Sequence, residues 1–240
     1  MQQLITAQGR RIAYHRRAGA GSGVVFLGGF KSDMGGAKAV HLDTWAPGRA
    51  YLRFDYSGHG QSGGRFEDGC IGDWLEDAAA VLALTEGPQV LVGSSMGGWI
   101  SLLLARRMPE RVAGLVTVAA APDFTEGIWA GFSDVERAAV MAGFVDVPSE
   151  YGEPYRITRR LIEDGRRHLV LSMPLELPFP VRMLQGTADV DVPVERALRL
   201  LDHATGPDIR LTLVKGADHR FSTPACLAMI GRAVDEVLGG

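Results

Sequence analysis

The residues around Ser95 place its hydroxyl where it could act as a nucleophile. Ser95 is the central residue of the pentapeptide GSSMG (residues 93–97), which lies between an apolar run at residues 89–92 and a helix-like stretch at residues 99–108. A strand, a sharp turn and a helix in this order form a nucleophile elbow, in which the serine oxygen is exposed on a strained turn. The context therefore predicts covalent catalysis through Ser95.

A serine nucleophile needs a nearby base, and the base needs a carboxylate that fixes its tautomer. The loops GTADVDVP (residues 186–193) and GADH (residues 216–219) each follow a strand-like run and supply both groups. We assign His219 as the base and Asp189 as the acid. Asp191 is the rival for the acid role because it lies in the same loop, but its place before Val192-Pro193 also suits the start of a helix.

Developing negative charge on a substrate carbonyl oxygen needs two N–H donors close to it. The backbone N–H of Met96, directly after the serine, is the first candidate. The second is the backbone N–H of Phe30, because the glycines of Gly28-Gly29 let the preceding loop pass close to the substrate.

The elements that must position these groups alternate along the chain. Strand-like apolar runs stand at residues 24–27, 50–54, 89–92, 112–121, 180–185 and 209–214, with helical patterns between most of them. This alternation predicts the α/β class, with a mostly parallel central sheet, helices on both faces and a site beyond the carboxyl ends of the strands. The length of the chain suits one such domain, residues 1–240.

Residues 122–178 interrupt the alternation, and we interpret them as a helical cap over the strand ends. Ser133 and Glu136 fit a capping box at one helix start, and a second helix is predicted from residue 155 towards 171. Trp129 and Phe132 are candidates for substrate binding, although aromatic residues of a cap often form its own core.

Five arginines of the same segment, at positions 156, 159, 160, 166 and 167, offer a further candidate site. The first three would cluster on one face of the predicted helix and could bind a carboxylate. The plainer interpretation is a solvated helix face that is partly paired with Glu163 and Asp164.

Composition excludes several classes of protein. The formal net charge of −3 lacks the basic excess that nucleic-acid binding needs. No apolar run approaches the roughly 18 residues of a membrane span, and residues 1–17 hold no signal-peptide core, so we expect a cytosolic protein. Cys70 and Cys226 stand apart and are expected to be buried thiols. Neither a metal site nor an organic cofactor is predicted, and the oligomeric state is not determined.

Together these motifs resemble those of the α/β-hydrolase superfamily, through residues 28–30, the turn DYSGHGQS (55–62), the pentapeptide, the 186–193 loop and DHR (218–220). More narrowly, residues 54–58, 91–99 and 218–220 resemble the mitochondrial type that cleaves acyl-glucuronides and palmitoyl-protein thioesters. The resemblance implies a small-molecule acyl ester or thioester as substrate and the triad of Ser95, Asp189 and His219. Because the chain begins almost at the fold without a transit peptide, the cytosolic expectation stands.

The sequence thus predicts a serine esterase or thioesterase that works through an acyl-enzyme on Ser95. Two alternatives stay open because a fold does not select its chemistry. The same triad supports perhydrolysis and carbon–carbon bond hydrolysis, and a receptor could retain a degenerate site. His59, in the glycine-rich turn at residues 58–60, is interpreted as structural.

Overall fold

The computed structural model describes residues 1–149, 152 and 154–239. Its strands are β1 (Gln2–Ile5), β2 (Arg11–Arg17), β3 (Ala20–Leu27), β4 (Arg49–Phe54), β5 (Gln89–Ser94), β6 (Val112–Val118), β7 (Phe144–Val147), β8 (Tyr155–Thr158), β9 (Val181–Gly186) and β10 (Ile209–Val214). Eight of them form one sheet in the order β1-β2-β4-β3-β5-β6-β9-β10. The β1–β2 and β2–β4 pairs are antiparallel and the remaining pairs are parallel. The predicted α/β class with a mostly parallel sheet is confirmed.

Helices cover both faces of this sheet. They are α1 (Ala37–Trp45), α2 (Ile71–Leu82), α3 (Met96–Arg107), α4 (Phe124–Gly131), α5 (Asp134–Ala142), α6 (Arg159–Gly165), α7 (Val194–His203) and α8 (Pro224–Val237). Alternate residues of β5 serve two separate cores: Leu91 packs in the core that includes α2 and α3, while Val90 and Val92 pack in the core that includes α1 and α8. Burial on both faces is why the central strands are continuous apolar runs. No helix in the described part of the chain has both the length and the apolarity to cross a membrane.

The segment between β6 and β9 contains α4, α5, the β7–β8 pair and α6. The capping box of Ser133 and Glu136 forms as predicted, but the helix predicted from residue 155 begins only at Arg159 and ends at Gly165. Residues 155–158 instead form β8, which pairs antiparallel with β7, and Thr158 caps the helix that begins at Arg159. Period-two burial explains the difference, because Ile157 is buried while its neighbours on both sides are only half-buried.

Asp123 ties the start of this segment to its end. Its carboxylate is buried and accepts hydrogen bonds from the backbone N–H groups of Val170 (2.9 Å) and Leu171 (3.0 Å). Its own backbone is left-handed, with φ of 55°. Two distant stretches of chain are therefore held together by one charged acceptor.

Replacing Asp123 with Ala should lower the free energy of unfolding by about 3 kcal/mol, because two buried N–H groups would lose a charged acceptor. Urea unfolding measures this change. The matched control is Asp134→Ala, which removes a fully exposed carboxylate and should cost less than about 0.5 kcal/mol. Equal stability of the two variants would contradict the account of Asp123.

Candidate active site

Ser95 lies in a strained turn between β5 and α3. Its φ of 54° and ψ of −119° are unusual for a residue that carries a side chain. Three backbone hydrogen bonds hold this residue in place. The Ser95 N–H donates to the Val118 carbonyl (2.9 Å), and the Ser95 carbonyl accepts from the N–H groups of Gly98 (2.9 Å) and Ala121 (3.1 Å). These bonds hold the turn in a conformation that costs about 1–3 kcal/mol in an isolated chain.

The glycines of the pentapeptide are there because other backbone passes so close. A methyl group added at Gly97 would lie 2.1 Å from the Leu27 carbonyl oxygen, and one added at Gly93 would lie 2.2 Å from Ser101 Oγ. Neither position tolerates a side chain unless the packing of α3 against β3 and β5 changes. The G-x-S-x-G pattern is thus explained by close packing around the turn.

The structure brings Ser95, His219 and Asp189 into one hydrogen-bonded chain. His219 Nε2 lies 3.1 Å from Ser95 Oγ, and His219 Nδ1 lies 2.9 Å from Asp189 Oδ2. Each side chain lies just after a strand of the central sheet. Ser95 follows β5, His219 follows β10 and Asp189 follows β9. This arrangement can move a proton from the serine hydroxyl to the imidazole while the carboxylate holds the other ring nitrogen.

Asp189 rather than Asp191 faces the imidazole in this chain. Besides His219, the nearly buried Asp189 carboxylate accepts from Gln185 Nε2 (3.0 Å) and from the backbone N–H groups of Asp191 (3.0 Å) and Val192 (2.8 Å). Burial opposes its ionisation, but the bonds from His219 and Val192 outweigh it and hold the pKa of Asp189 below its ordinary value. The Asp191 side chain is exposed, and its backbone orients Asp189.

Asp189, Asp191 and His219 also place ligand atoms within 4.8 Å of one another, so they are the residues here that could hold a cation. The Asp189 carboxylate, however, is already engaged by four hydrogen-bond donors. Its surroundings fit a triad acid better than a metal ligand.

Met96 directly follows the serine, and the loop that carries Phe30 passes close to it. Met96 is the first residue of α3, so its N–H has no partner within the helix. The loop from β3 passes directly over the turn: a methyl group at Gly29 would lie 3.4 Å from Ser95 Cβ. Within the described residues, the N–H of Phe30 has no hydrogen-bond partner.

Trp129 and Phe132, the predicted substrate-binding residues, are engaged within their own segment. The guanidinium groups of Arg166 and Arg137 lie 4.8 Å and 5.8 Å from the centre of the Trp129 ring. Phe132 is buried in the hydrophobic core. No ring or hydrogen-bond contact links either side chain to the triad within the described residues.

Phe124 and Tyr155 are better placed than those two and were missed. Their rings each lie 5.4 Å from the ring of Phe30, in the loop that passes over the Ser95 turn. Phe124 opens α4 directly after Asp123, and Tyr155 opens β8. The alternation of apolar and polar residues at positions 155–158 would have placed Tyr155 on a strand. Nothing in the sequence, however, indicates that its ring contacts Phe30.

Lys38 is a third residue that sequence reasoning missed. Its Nζ donates to the carbonyl of Arg220 (2.5 Å), directly after His219 in the chain. Burial is the main cause that lowers the pKa of Lys38 to about 8, against the opposing attraction of Asp218. Lys38 therefore fixes α1 to the loop that carries His219.

The predicted arginine cluster does not form, because Arg156 lies on β8 and the others lie in or just after α6. Four of the five arginines are paired with carboxylates instead. The pairs are Arg156 with Asp146 (2.8 Å), Arg159 with Glu163 (2.7 Å), Arg160 with Asp73 (2.7 Å) and Arg166 with Glu126 (2.9 Å). The plainer interpretation, a partly paired surface, describes these residues.

His59 has the contacts of a structural residue. It is 3 % exposed, and burial lowers its pKa from the ordinary 6.5 to about 4. Its ring packs edge-on against Tyr56, Phe66 and Trp74. The imidazole is therefore neutral at physiological pH.

This burial predicts a pH-dependent stability. Between the folded pKa of about 4 and the unfolded value of 6.5, the unfolded chain binds a proton that the folded protein does not. The stability due to neutral His59 is therefore complete above pH 6.5 and declines as the pH falls towards 4, by about 2 kcal/mol between about pH 7.5 and pH 5. Urea unfolding of the wild type and of His59→Gln at both pH values isolates this effect. Parallel pH dependence in the two proteins would contradict it.

Comparison with known proteins gives consistent results. Residues 20–146, more than half of the chain, match the Hydrolase_4 family, described as serine aminopeptidase, S33. The palmitoyl-protein thioesterase ABHD10, mitochondrial, of Rattus norvegicus is 35% identical over 236 residues, which cover 95% of this chain and 78% of that protein.

Two solved structures are similar over nearly their whole length. A hydrolase from Agrobacterium vitis S4 has a TM-score of 0.94 at 42% identity and covers 98% of this chain and 97% of its own. The α/β hydrolase domain-containing protein 10 from mouse has a TM-score of 0.92 at 34% identity, and the match covers 99% of this chain and 98% of the mouse chain.

The comparisons contradict the expected cytosolic location. The rat relative and its counterparts from Bos taurus and Mus musculus are all named as mitochondrial proteins. The location of a protein in the cell depends on targeting signals that receptors recognise, and not on its fold or net charge. The features used for the prediction therefore could not determine the location.

Family membership rests on agreement between sequence and fold. The family match spans β3 to β7 and includes the Ser95 turn, while the thioesterase relatives extend the likeness over almost all of the chain. The solved structures share the arrangement of the sheet and helices. The chain therefore belongs to the Hydrolase_4 family of α/β-hydrolases, together with the ABHD10 proteins, and is a serine hydrolase of the esterase and thioesterase type.

Proposed function

We propose that this enzyme hydrolyses acyl thioesters through an acyl-enzyme on Ser95, with His219 as base and Asp189 as the acid that orients it. The observation that carries the proposal is the chain of two hydrogen bonds, of 3.1 Å and 2.9 Å, that joins these three side chains. No organic cofactor is needed for this reaction.

In the first half-reaction, Ser95 Oγ attacks the thioester carbonyl carbon while His219 Nε2 takes the hydroxyl proton. Asp189 keeps the proton on Nδ1 and stabilises the imidazolium that forms. The carbonyl oxygen becomes an oxyanion, which the N–H groups of Met96 and Phe30 stabilise. Collapse breaks the carbon–sulfur bond, and His219 returns the proton to the departing thiolate.

In the second half-reaction, water attacks the acyl-enzyme with His219 again as base. A second oxyanion forms in the same position and collapses, so that the carbon–oxygen bond to Ser95 breaks. The carboxylic acid leaves, and the proton on His219 restores the serine hydroxyl.

An apolar acyl chain is supported by the residues around Phe30. The rings of Phe124 and Tyr155 pack edge-on against the Phe30 ring. We propose that residues 122–178, which carry both rings, act as a cap that lines the acyl pocket. The palmitoyl-protein thioesterase activity in the names of the relatives fits such a substrate, whereas the paired arginines offer no unpaired cluster for a glucuronate.

Substrate comparison tests the proposal. Turnover of an S-octanoyl and an S-palmitoyl cysteine peptide would be measured beside p-nitrophenyl octanoate and an acyl-glucuronide. We expect kcat/KM for the thioesters to exceed that for the glucuronide by about tenfold or more. Preference for the glucuronide would contradict the proposed substrate class, and release of a peracid with hydrogen peroxide as the dominant reaction would favour perhydrolysis.

A further inference from the structure

We propose that His59 is a positioning residue, which holds the second oxyanion donor in place by accepting a hydrogen bond from the next peptide group along the loop. The inference rests on the proposed function, because it concerns the N–H of Phe30 in that mechanism. Within the part of the chain that the structure describes, the His59 ring contacts Lys31, Ser57 and three aromatic rings, but no hydrogen bond joins it to Ser95.

The contact that carries the inference joins two loops. The backbone N–H of Lys31 donates to His59 Nε2 over 3.2 Å. Lys31 has a positive φ of 56°, a conformation that a residue with a side chain adopts only when its surroundings impose it. The hydrogen bond from Lys31 to the buried ring is one such constraint.

The partners of the ring fix which nitrogen accepts. His59 Nδ1 lies 3.1 Å from the Ser57 carbonyl, which can only accept, so Nδ1 carries the proton. Nε2 is then a lone-pair acceptor, as the Lys31 N–H requires. With the ring packed against Tyr56, Phe66 and Trp74, the acceptor has one orientation.

Two consecutive peptide groups are thereby fixed. The carbonyl of Gly29 accepts from the Ser32 backbone N–H (3.2 Å) and from Ser32 Oγ (2.9 Å). In a trans peptide the N–H points opposite to the carbonyl, so these bonds direct the N–H of Phe30 away from Ser32. His59 holds the following peptide, between Phe30 and Lys31, and so prevents rotation of this loop.

Two amide variants separate this role from general packing. A Gln side chain at position 59 can place an oxygen near the position of Nε2, whereas Asn is too short and reaches only the position of Nδ1. We expect His59→Asn to lower kcat for an octanoyl thioester by about 10- to 100-fold, less than the cost of deleting an oxyanion donor. His59→Gln should recover most of that loss, with KM changed less than about threefold in both variants.

A trifluoromethyl ketone analogue reports on the oxyanion site directly, because its serine adduct places an oxygen anion there. Its Ki should rise in His59→Asn in proportion to the loss of kcat. The matched control is Ser62→Ala, which removes the hydrogen bonds of Ser62 Oγ with the Asp55 carbonyl (2.6 Å) and the Ala13 N–H (2.8 Å) in the same turn but leaves the partners of the His59 ring in place. It should lower the melting temperature while kcat stays within about threefold of the wild type.

Ser95→Ala, measured in parallel, distinguishes a failure of the inference about His59 from a failure of the proposed function. Serine-dependent turnover that His59→Asn leaves unchanged would overturn the inference and leave the proposed function standing. An equal loss of kcat in Ser62→Ala would also overturn it. Turnover that does not depend on Ser95 would overturn the proposed function, and the inference with it.

Discussion

Replacing Ser95 with Ala should lower kcat by about five to six orders of magnitude, to the rate of the uncatalysed reaction plus what binding alone provides. The hydroxyl is the only protein group in the proposed mechanism that bonds to the acyl carbon. The fold should be retained, since Ala has the same Cβ and lacks only Oγ, which forms a hydrogen bond with His219. Turnover of an octanoyl thioester and circular dichroism would measure the two effects.

Ser95→Gly is the companion variant. Glycine adopts the φ of 54° without strain, so it should be as inactive as Ser95→Ala but more stable, by about 1 kcal/mol or more. Residual activity above about one per cent of wild type in either variant would exclude Ser95 as the nucleophile. Equal stability would contradict the assignment of strain to this turn.

Asp189→Asn is expected to lower kcat by about four orders of magnitude, because an amide that donates to Nδ1 favours the wrong imidazole tautomer. The geometry should survive, since Asn can still accept from Val192 N–H through its remaining oxygen. Thioester turnover as a function of pH would measure the loss and show whether the base titration persists.

Asp191→Asn is the matched control, because its side chain is exposed and its backbone N–H, which donates to Asp189, is unchanged. Its kcat should stay within about threefold of wild type. If Asp191→Asn were the more damaging substitution, the acid role would have to pass to Asp191.

Much of this arrangement could be predicted because it depends on local patterns. Buried parallel strands are continuous apolar runs, and the close approach of β3 to Gly97 requires glycine. The order of Ser95, Asp189 and His219 after three strands then implied their convergence, since parallel strands end at the same edge of the sheet.

The predictions that failed concerned short segments or contacts between residues that are distant in the sequence. β8 spans only four residues and forms by pairing with β7, a strand that is equally short. The prediction of a helix was therefore wrong for residues 155–158. The arginines form ion pairs with acidic residues that are partly remote in sequence, such as Asp73 and Glu126. The substrate-binding role of Trp129 and Phe132, which were chosen by residue type alone, stays a prediction, while the contacts of Phe30 direct attention to Phe124 and Tyr155.

The most direct test of the account is to trap the acyl-enzyme. The enzyme would be mixed with an S-octanoyl cysteine peptide, quenched in acid during turnover, digested and analysed by mass spectrometry. The account predicts an octanoyl group on the peptide that contains Ser95, which disappears as substrate is exhausted and never forms in Ser95→Ala. Continued turnover with Ser95 unmodified, or acylation of another residue in its place, would contradict the central claim.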